Sequence, residues 1–301
     1  MIIHKTSNAS EKEEIIDQAH SVYGQLSSDG YSVIPNIVSK AKCKELIEVL
    51  NQLRIDRENS STTNHTESTK EERWFIEATG QILLRDCLLD RPDVFLEFIN
   101  CPLLMSVLDL LFGEMPVLDG FSASTTYDRD PRYSHPPKIH IDSRLATPEI
   151  VNTTHLVTMI CLDDFTESTG GLRVWPGSHK SGIVVHKDYN FDDFGSEGVR
   201  NLHPPSGSLV FFLGQTWHQI GTSCTNATRW GLLLTHTRWW IKSQTDYTLC
   251  GEEMFSLCTK EQKSLLGFAS ITPKNRFVKS KSIIPADNIP SNYHRARSWS
   301  N

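Results

Sequence analysis

From Pro116 onward the chain breaks into short β-rich runs divided by Gly, Pro, Asn and Asp, and this pattern narrows its fold more than any other feature. The runs are PVLDGFSASTTY, PKIHID, THLVTMICLDDF, GGLRVWPGSH, GIVVH, GSLVFFLG, TWHQIG and TRWGLLLTHTRWWI. Eight or so strands with turn signals at this spacing specify a β-sandwich, jelly roll or barrel. The preceding segment has helical texture. Ile15, Ile16, Ala19 and Val22 mark an amphipathic helix, and Tyr31–Ile34 a short strand. Leu46, Val49, Leu50 and Leu53 line a long helix whose N-cap is Ser39. Residues 58–73 read as a polar loop, with helices around 92–99 and 102–112, the second ending at Gly113. A helix near 251–266 closes the β region, and the basic tail 268–301 reads as a solvated strap. No internal repeat or second domain stands out. The expectation is one domain over 1–301: a helical buttress (about 1–113), a β core (about 116–242), and a C-terminal helix and tail (about 250–301).

Composition sets the partners. A net charge of −6 on 301 residues lacks the basic excess that a nucleic-acid surface needs. No run approaches the 18 or so apolar residues of a membrane span, and MIIHKTSNASEKEE soon turns polar. A cytoplasmic protein, monomer or homodimer, with neither nucleic acid nor membrane as partner is expected. The seven cysteines are scattered and contain no C-x-x-C pair, which argues against a disulfide framework or a thiolate zinc site.

Within PKIHID, His140 and Asp142 are two positions apart, so on a strand both side chains aim at one point. The same spacing also fits an edge strand turning polar residues to water. A third ligand must come from a distant strand. His135 sits in a proline-rigid loop, and His155, His179, His186 and His203 lie at strand ends or turns, where a solvated histidine is the plain reading. His218 lies instead between an apolar strand and a second one that Arg229 opens, eleven residues on. A buried guanidinium needs an anionic partner, either an internal Asp or Glu or a ligand's carboxylate. Two histidines and a carboxylate leave coordination positions open. That suits non-haem Fe(II) with a bidentate co-substrate and O₂, and zinc with a water fits the same triad. A carboxylate hook beside an open metal is what 2-oxoglutarate requires.

Taken in order, DGYSVIPNIVSKAKCKELIEVL, HID at 140–142, LDDFTESTGGLRVWPGSHK, PSGSLVFFLGQTWH and the His218-to-Arg229 spacing resemble the phytanoyl-CoA dioxygenase family of Fe(II)/2-oxoglutarate oxygenases. The segment TRWWIKSQTDYTLCGEEMFSLCTKEQKSLLGF is similar to members acting on specialised metabolites, and the resemblance covers roughly residues 29–268. It implies a mainly β fold with flanking helices, a double-stranded β-helix (jelly roll, cupin-like). It also implies His140, Asp142 and His218 as iron ligands and Arg229 as the anchor of the 2-oxoglutarate C5-carboxylate. Ile220 stands where some members carry a Ser or Thr that assists the co-substrate. Asp142 stands where halogenating members carry a small residue, which disfavours halogenation. Ser122, Ser124 and Thr126 alternate along FSASTTY and either line the pocket or form a solvent face. Lys138 shares a strand face with His140 and is a candidate contact to co-substrate or substrate, with an exposed strand-end lysine as the alternative. Thr158 and Arg173 are further candidates, and Trp217, Trp239 and Trp240 shape the cavity or simply pack.

The implied reaction is oxidation of a C–H bond in a small-molecule metabolite with O₂ and 2-oxoglutarate, releasing succinate and CO₂. Hydroxylation is the default outcome, and desaturation or cyclisation draws on the same chemistry. Two rivals share the scaffold: a metal-dependent hydrolase or isomerase on a cupin-like barrel, and a β-helix protein that binds a ligand without catalysis. The substrate region is expected among the N-terminal helices, loop 58–73 and segment 128–138, where charges and aromatics mix and favour a polar or amphipathic molecule.

Overall fold

The computed structural model describes residues 9–62, 74–77, 81–126, 139–185, 198–221, 223–225 and 227–271. Lys138, segment 128–138, most of the polar loop and residues 272–301 of the tail lie outside them.

The first helix, α1 (Ala9–Asp29), buries Ala19, Val22 and Leu26 and leaves Ile16 exposed. Strand β1 (Tyr31–Ile34) follows where expected. Helix α2 (Lys40–Thr62) starts behind Ser39, whose Oγ accepts the Lys42 N–H at 3.2 Å, an N-cap that satisfies a donor the helix cannot. Strands β2 (Trp74–Glu77) and β3 (Gln81–Arg85) come next, in a region whose sequence had suggested no strand. Short helices α3 (Cys87–Asp90) and α4 (Pro92–Phe95) lead to α5 (Pro102–Phe112), which has Pro at its first turn and ends on Gly113 at φ 64°. No single helix among the described residues is long and apolar enough to cross a membrane. The bent pair Pro92–Phe98 and Pro102–Phe112 passes that test only jointly, and much of it is buried in the core.

The β region comprises β4 (Pro116–Thr126), β5 (His155–Cys161), β6 (Leu172–Val174), β7 (Arg200–Leu202), β8 (Leu209–Leu213), β9 (His218–Ile220) and β10 (Gly231–Arg238). Two short helices close it, α6 (Gly251–Leu257) and α7 (Lys260–Leu265), separated by the capping box of Thr259 and Gln262. A single helix over 251–266 was the expectation; the capping residue restarts the chain instead. Residues 182–185 of the run GIVVH form no strand: Val185 packs on Ile139 and Trp175 without joining a ladder.

Seven antiparallel strands make the larger sheet, in the order β1-β8-β5-β10-β4-β3-β2. Three make the smaller, β7-β6-β9, which a bridge between His140 and His218 extends by one more segment. Strand parity sorts the larger sheet's side chains. Leu156, Ile160, Leu232, Leu234, Phe121 and Ala123 join the core beneath the helices. Val157, Met159, Cys161, Val210 and Phe212 face the smaller sheet and pack on Leu172, Val174 and Leu202. The two sheets enclose an interior, and the fold is a double-stranded β-helix with helices buttressing its larger sheet. That interior is filled at β5 and β8. It is more open toward β4, β9 and β10, where Ser122, Ile220, Leu233 and Thr235 are only half-buried.

Candidate metal centre

His140 and His218 come together through main-chain pairing. His140 N donates to His218 O at 3.0 Å and His218 N to His140 O at 3.1 Å. Asp142 is held by a second clamp, since its N–H and that of Ser143 both donate to Gly214 O at 2.8 Å. The Asp142 carboxylate oxygens lie 3.7 Å from His140 Nε2 and 3.5 Å from His218 Nε2, and the ring centroids are 4.2 Å apart. One ligand atom from each residue falls within 4.8 Å of the other two, a grouping that could hold a metal ion. Cis donors around an ion with bonds of ~2.1 Å sit roughly 3 Å apart, so a metal would draw this set in slightly.

The histidines are prepared differently. His218 is 4% exposed and packs against Phe212, with ring centroids 4.7 Å apart. Its Nδ1 lies 3.0 Å from the Thr216 carbonyl, which can only accept, so Nδ1 carries the proton and Nε2 offers its lone pair. Burial, reinforced by the nearby His140 ring and opposed by Asp142, pushes the His218 imidazole down to about 4 and keeps it in the neutral, ligating form. His140 and Asp142 are half-exposed, so the centre opens on their side. Two imidazoles and one carboxylate grouped this way fit a facial triad.

Arg229 is 1% exposed, and among the described residues neither Nε nor either Nη has a hydrogen-bond partner. Its guanidinium carbon lies 4.0 Å from the centre of the Phe165 ring, and its backbone N–H donates to Thr125 Oγ1 at 3.1 Å. The nearby acid, Asp163, spends a carboxylate oxygen on the Trp230 N–H at 2.8 Å, and no ion pair to Arg229 exists among the described residues. Burial, opposed by Cys161 and Asp163, lowers the guanidinium to about 10, which leaves it charged at neutral pH. A buried cation left this way lacks a built-in counter-ion. Continuing the pairing of Gly231 with Ser124 by two residues sets Arg229 opposite Thr126. Thr126 is also buried, and its Oγ1 has no hydrogen-bond partner among the described residues. Ser122 and Ser124 share the interior parity of Thr126, opposite to that of the core residues Phe121 and Ala123.

Thr158, Arg173 and the three tryptophans fall elsewhere. Thr158 pairs with Leu234 and borders a small apolar void with Phe98, Cys101 and Leu104, on the helix side of the larger sheet. It faces away from the triad because β5 is apolar on both faces and its parity points Val157 and Met159 inward. Arg173 and Trp217 lie on the outer face of the smaller sheet, alternating with the inward Val174 and His218. Arg173 reaches Gln219 at 3.4 Å, and Trp217 Nε1 donates to Ile183 O at 3.2 Å. Trp239 and Trp240 both donate to Glu114, at 2.8 and 3.2 Å, fixing the turn after β10.

His155 was set aside as a strand-end residue, yet it opens β5 on the interior parity beside the Asp142 clamp. Gly214 N donates to His155 O at 2.8 Å while Gly214 O receives Asp142. The odd-position alternation His155, Val157, Met159 is the signal that could have found it.

The family described as Phytanoyl-CoA dioxygenase (PhyH) matches residues 26–231. An uncharacterised protein of Mycobacterium tuberculosis and one of Mycobacterium bovis are each 22% identical over 255 residues, covering 82% of this chain and 83% of the relative. Among solved structures, SnoN, a non-heme alpha ketoglutarate dependent epimerase from nogalamycin biosynthesis, superposes with a TM-score of 0.54 at 18% identity, over 74% of this chain and 84% of that one. HygX from Streptomyces hygroscopicus, solved with nickel, 2-oxoglutarate and hygromycin B, gives 0.57 at 11% identity, over 75% and 89%. The nogalamycin carbocyclase SnoK gives 0.53 at 14%, over 79% and 86%. At these identities the likeness to solved structures is one of fold.

Proposed function

The chain belongs to the phytanoyl-CoA dioxygenase (PhyH) family, and on that premise we propose that it is a non-haem Fe(II)- and 2-oxoglutarate-dependent oxygenase acting on a C–H bond of a small-molecule metabolite. The observation that carries this reading is Arg229, a wholly buried guanidinium with no anionic partner among the described residues. Such a group stays charged usefully only if an anion arrives from outside, and its planar fork matches a carboxylate.

In this reading His140, Asp142 and His218 hold the iron. Arg229 and the Thr126 hydroxyl would hold the far carboxylate of 2-oxoglutarate. Iron, 2-oxoglutarate and O₂ together supply oxidation of a C–H bond, with 2-oxoglutarate leaving as succinate and CO₂. The chain's own part is positional. Thr216 orients the His218 ring, Gly214 holds Asp142, and Phe165 shields Arg229 from water, which strengthens the guanidinium's hold on an anion. The carboxylate at position 142 occupies the place a halide would need, so oxygen chemistry is favoured over halogenation.

Hydroxylation is the default outcome. The structural neighbours include an epimerase and a carbocyclase, so the same scaffold supports outcomes other than hydroxylation. SnoN and HygX were solved with nogalamycin RO and hygromycin B, and a hydroxyl-bearing specialised metabolite is the proposed substrate class. Anaerobic addition of Fe(II) and 2-oxoglutarate tests the reading: a weak visible charge-transfer band is expected, and its absence from protein shown to hold iron would overturn it.

A further inference from the structure

We propose that His155 is a substrate-recognition residue, offering an imidazole N–H at the metal-side rim of the interior to a hydroxyl or carbonyl oxygen of the substrate. The proposal rests on the oxygenase reading above and names the group that reads the substrate's polar handle.

Three observations carry it. The first is position: His155 opens β5 on the interior parity and is bound to the metal loop through one residue. Gly214 N donates to His155 O at 2.8 Å, and Gly214 O receives the N–H groups of Asp142 and Ser143 at the same distance. A Cβ on Gly214 would fall 2.7 Å from His155 Cβ and 3.1 Å from Ser143 Cβ, so these two residues meet across a gap that only glycine permits. Asp142, a member of the triad, is among the charges that act on the His155 ring.

The second is orientation. Nδ1 lies 2.8 Å from Thr154 Oγ1. The Thr154 hydroxyl can donate as well as accept, so the ring can carry its proton on Nε2, and that tautomer is the one proposed. Among the described residues Nε2 has no hydrogen-bond partner. The third is access: the ring is half-buried, whereas Val157 and Met159, next inward on the same face, are buried. An anchored, accessible imidazole N–H beside an open metal edge suits an oxygen acceptor.

The test uses enzyme loaded with Fe(II) and 2-oxoglutarate under anaerobic conditions. The probes are nogalamycin RO and hygromycin B, the compounds bound in two structural neighbours, each paired with its deoxy congener. Binding is read from perturbation of the charge-transfer band and from ¹⁵N shifts of the labelled histidine rings. The expected result is that His155→Phe keeps iron and 2-oxoglutarate affinity but loses about tenfold or more in affinity for the oxygenated probes. The deoxy congeners should be unaffected, and His155→Gln, which restores a donor, should recover most of the loss. An unchanged preference for oxygenated probes in His155→Phe would overturn the proposal, as would loss of iron affinity, which would make the ring a support for Asp142. Failure of the wild type to bind 2-oxoglutarate would count against the oxygenase reading, while a ¹⁵N shift of His155 with the probe alone would still support recognition.

Discussion

His140 and His218 are partners in a single β-bridge, joined by main-chain hydrogen bonds of 3.0 and 3.1 Å with their rings 4.2 Å apart. The two imidazoles therefore come together by the same pairing that extends the smaller sheet. Any change that spoils that pairing should spoil the centre.

Gly214 gives the sharpest case. Its carbonyl holds Asp142, and there is no room for a side chain beside His155 and Ser143. Gly214→Ala should force the Asp142 loop outward, lowering iron affinity by roughly tenfold, the low end for groups that orient a ligand. Overpacking should also cost stability, on the order of 1–3 kcal/mol. Iron titration and chemical denaturation check the two effects separately.

Arg229→Met should separate binding from folding. Losing two charge-assisted hydrogen bonds to a carboxylate should weaken 2-oxoglutarate binding by roughly 100-fold or more. Iron binding should stay near wild type. Because the guanidinium is buried without a partner among the described residues, the methionine variant should be more stable than wild type in the absence of ligand, on the order of 1–4 kcal/mol. Calorimetric titration and thermal unfolding measure both, and equal loss of iron would make the arginine structural.

The two threonines should part company. Thr126→Val removes the unpartnered hydroxyl on the Arg229 side and should raise the 2-oxoglutarate requirement several-fold, as expected for one hydrogen bond to a charged group. Thr158→Val, on the helix side among apolar neighbours, should leave that requirement unchanged. Steady-state kinetics in 2-oxoglutarate decides.

This contrast also marks how far the sequence could be read. His140 and Asp142 stood out as candidates because strand spacing sets them on one face, and His218 joined them through its spacing to Arg229 and the family resemblance; the structure groups the three. Ser39 and Tyr31–Ile34 were legible because capping and alternation are local rules. Thr158 was not, because HLVTMIC is apolar on both faces and parity cannot be told without the neighbouring strands. The same holds for β3, whose short run QILLR offers no alternation to separate strand from helix. GIVVH misled because Val185 is buried by packing and not by strand pairing. His155 was passed over because a strand-end histidine says nothing of the Asp142 clamp, which is made by Gly214 more than seventy residues downstream of the ligand.

Stability should fall in acid partly through His236. This residue is fully buried on β10, opposite Leu118 and Leu156, with the Ile99 backbone beside its ring. Burial pushes its imidazole down to about 4, opposed only by the backbone of Ile99. The folded ring thus stays neutral while the unfolded chain takes up a proton near pH 6.5. His236 therefore subtracts stability as pH falls from about 6.5 toward 4, at up to about 1.4 kcal/mol per pH unit. His236→Leu should flatten the dependence seen in denaturant unfolding between pH 7 and 5, with buried His218 supplying a remaining part in metal-free protein. An identical slope in wild type and variant would rule His236 out.

The most direct test of the central claim is the balance sheet of turnover with an accepted substrate: O₂ consumed, 2-oxoglutarate lost and succinate formed, in protein carrying iron. The account predicts that the three quantities match one for one and that succinate formation disappears without iron or with Arg229→Met. Turnover that proceeds without 2-oxoglutarate, or with zinc in place of iron, would contradict it.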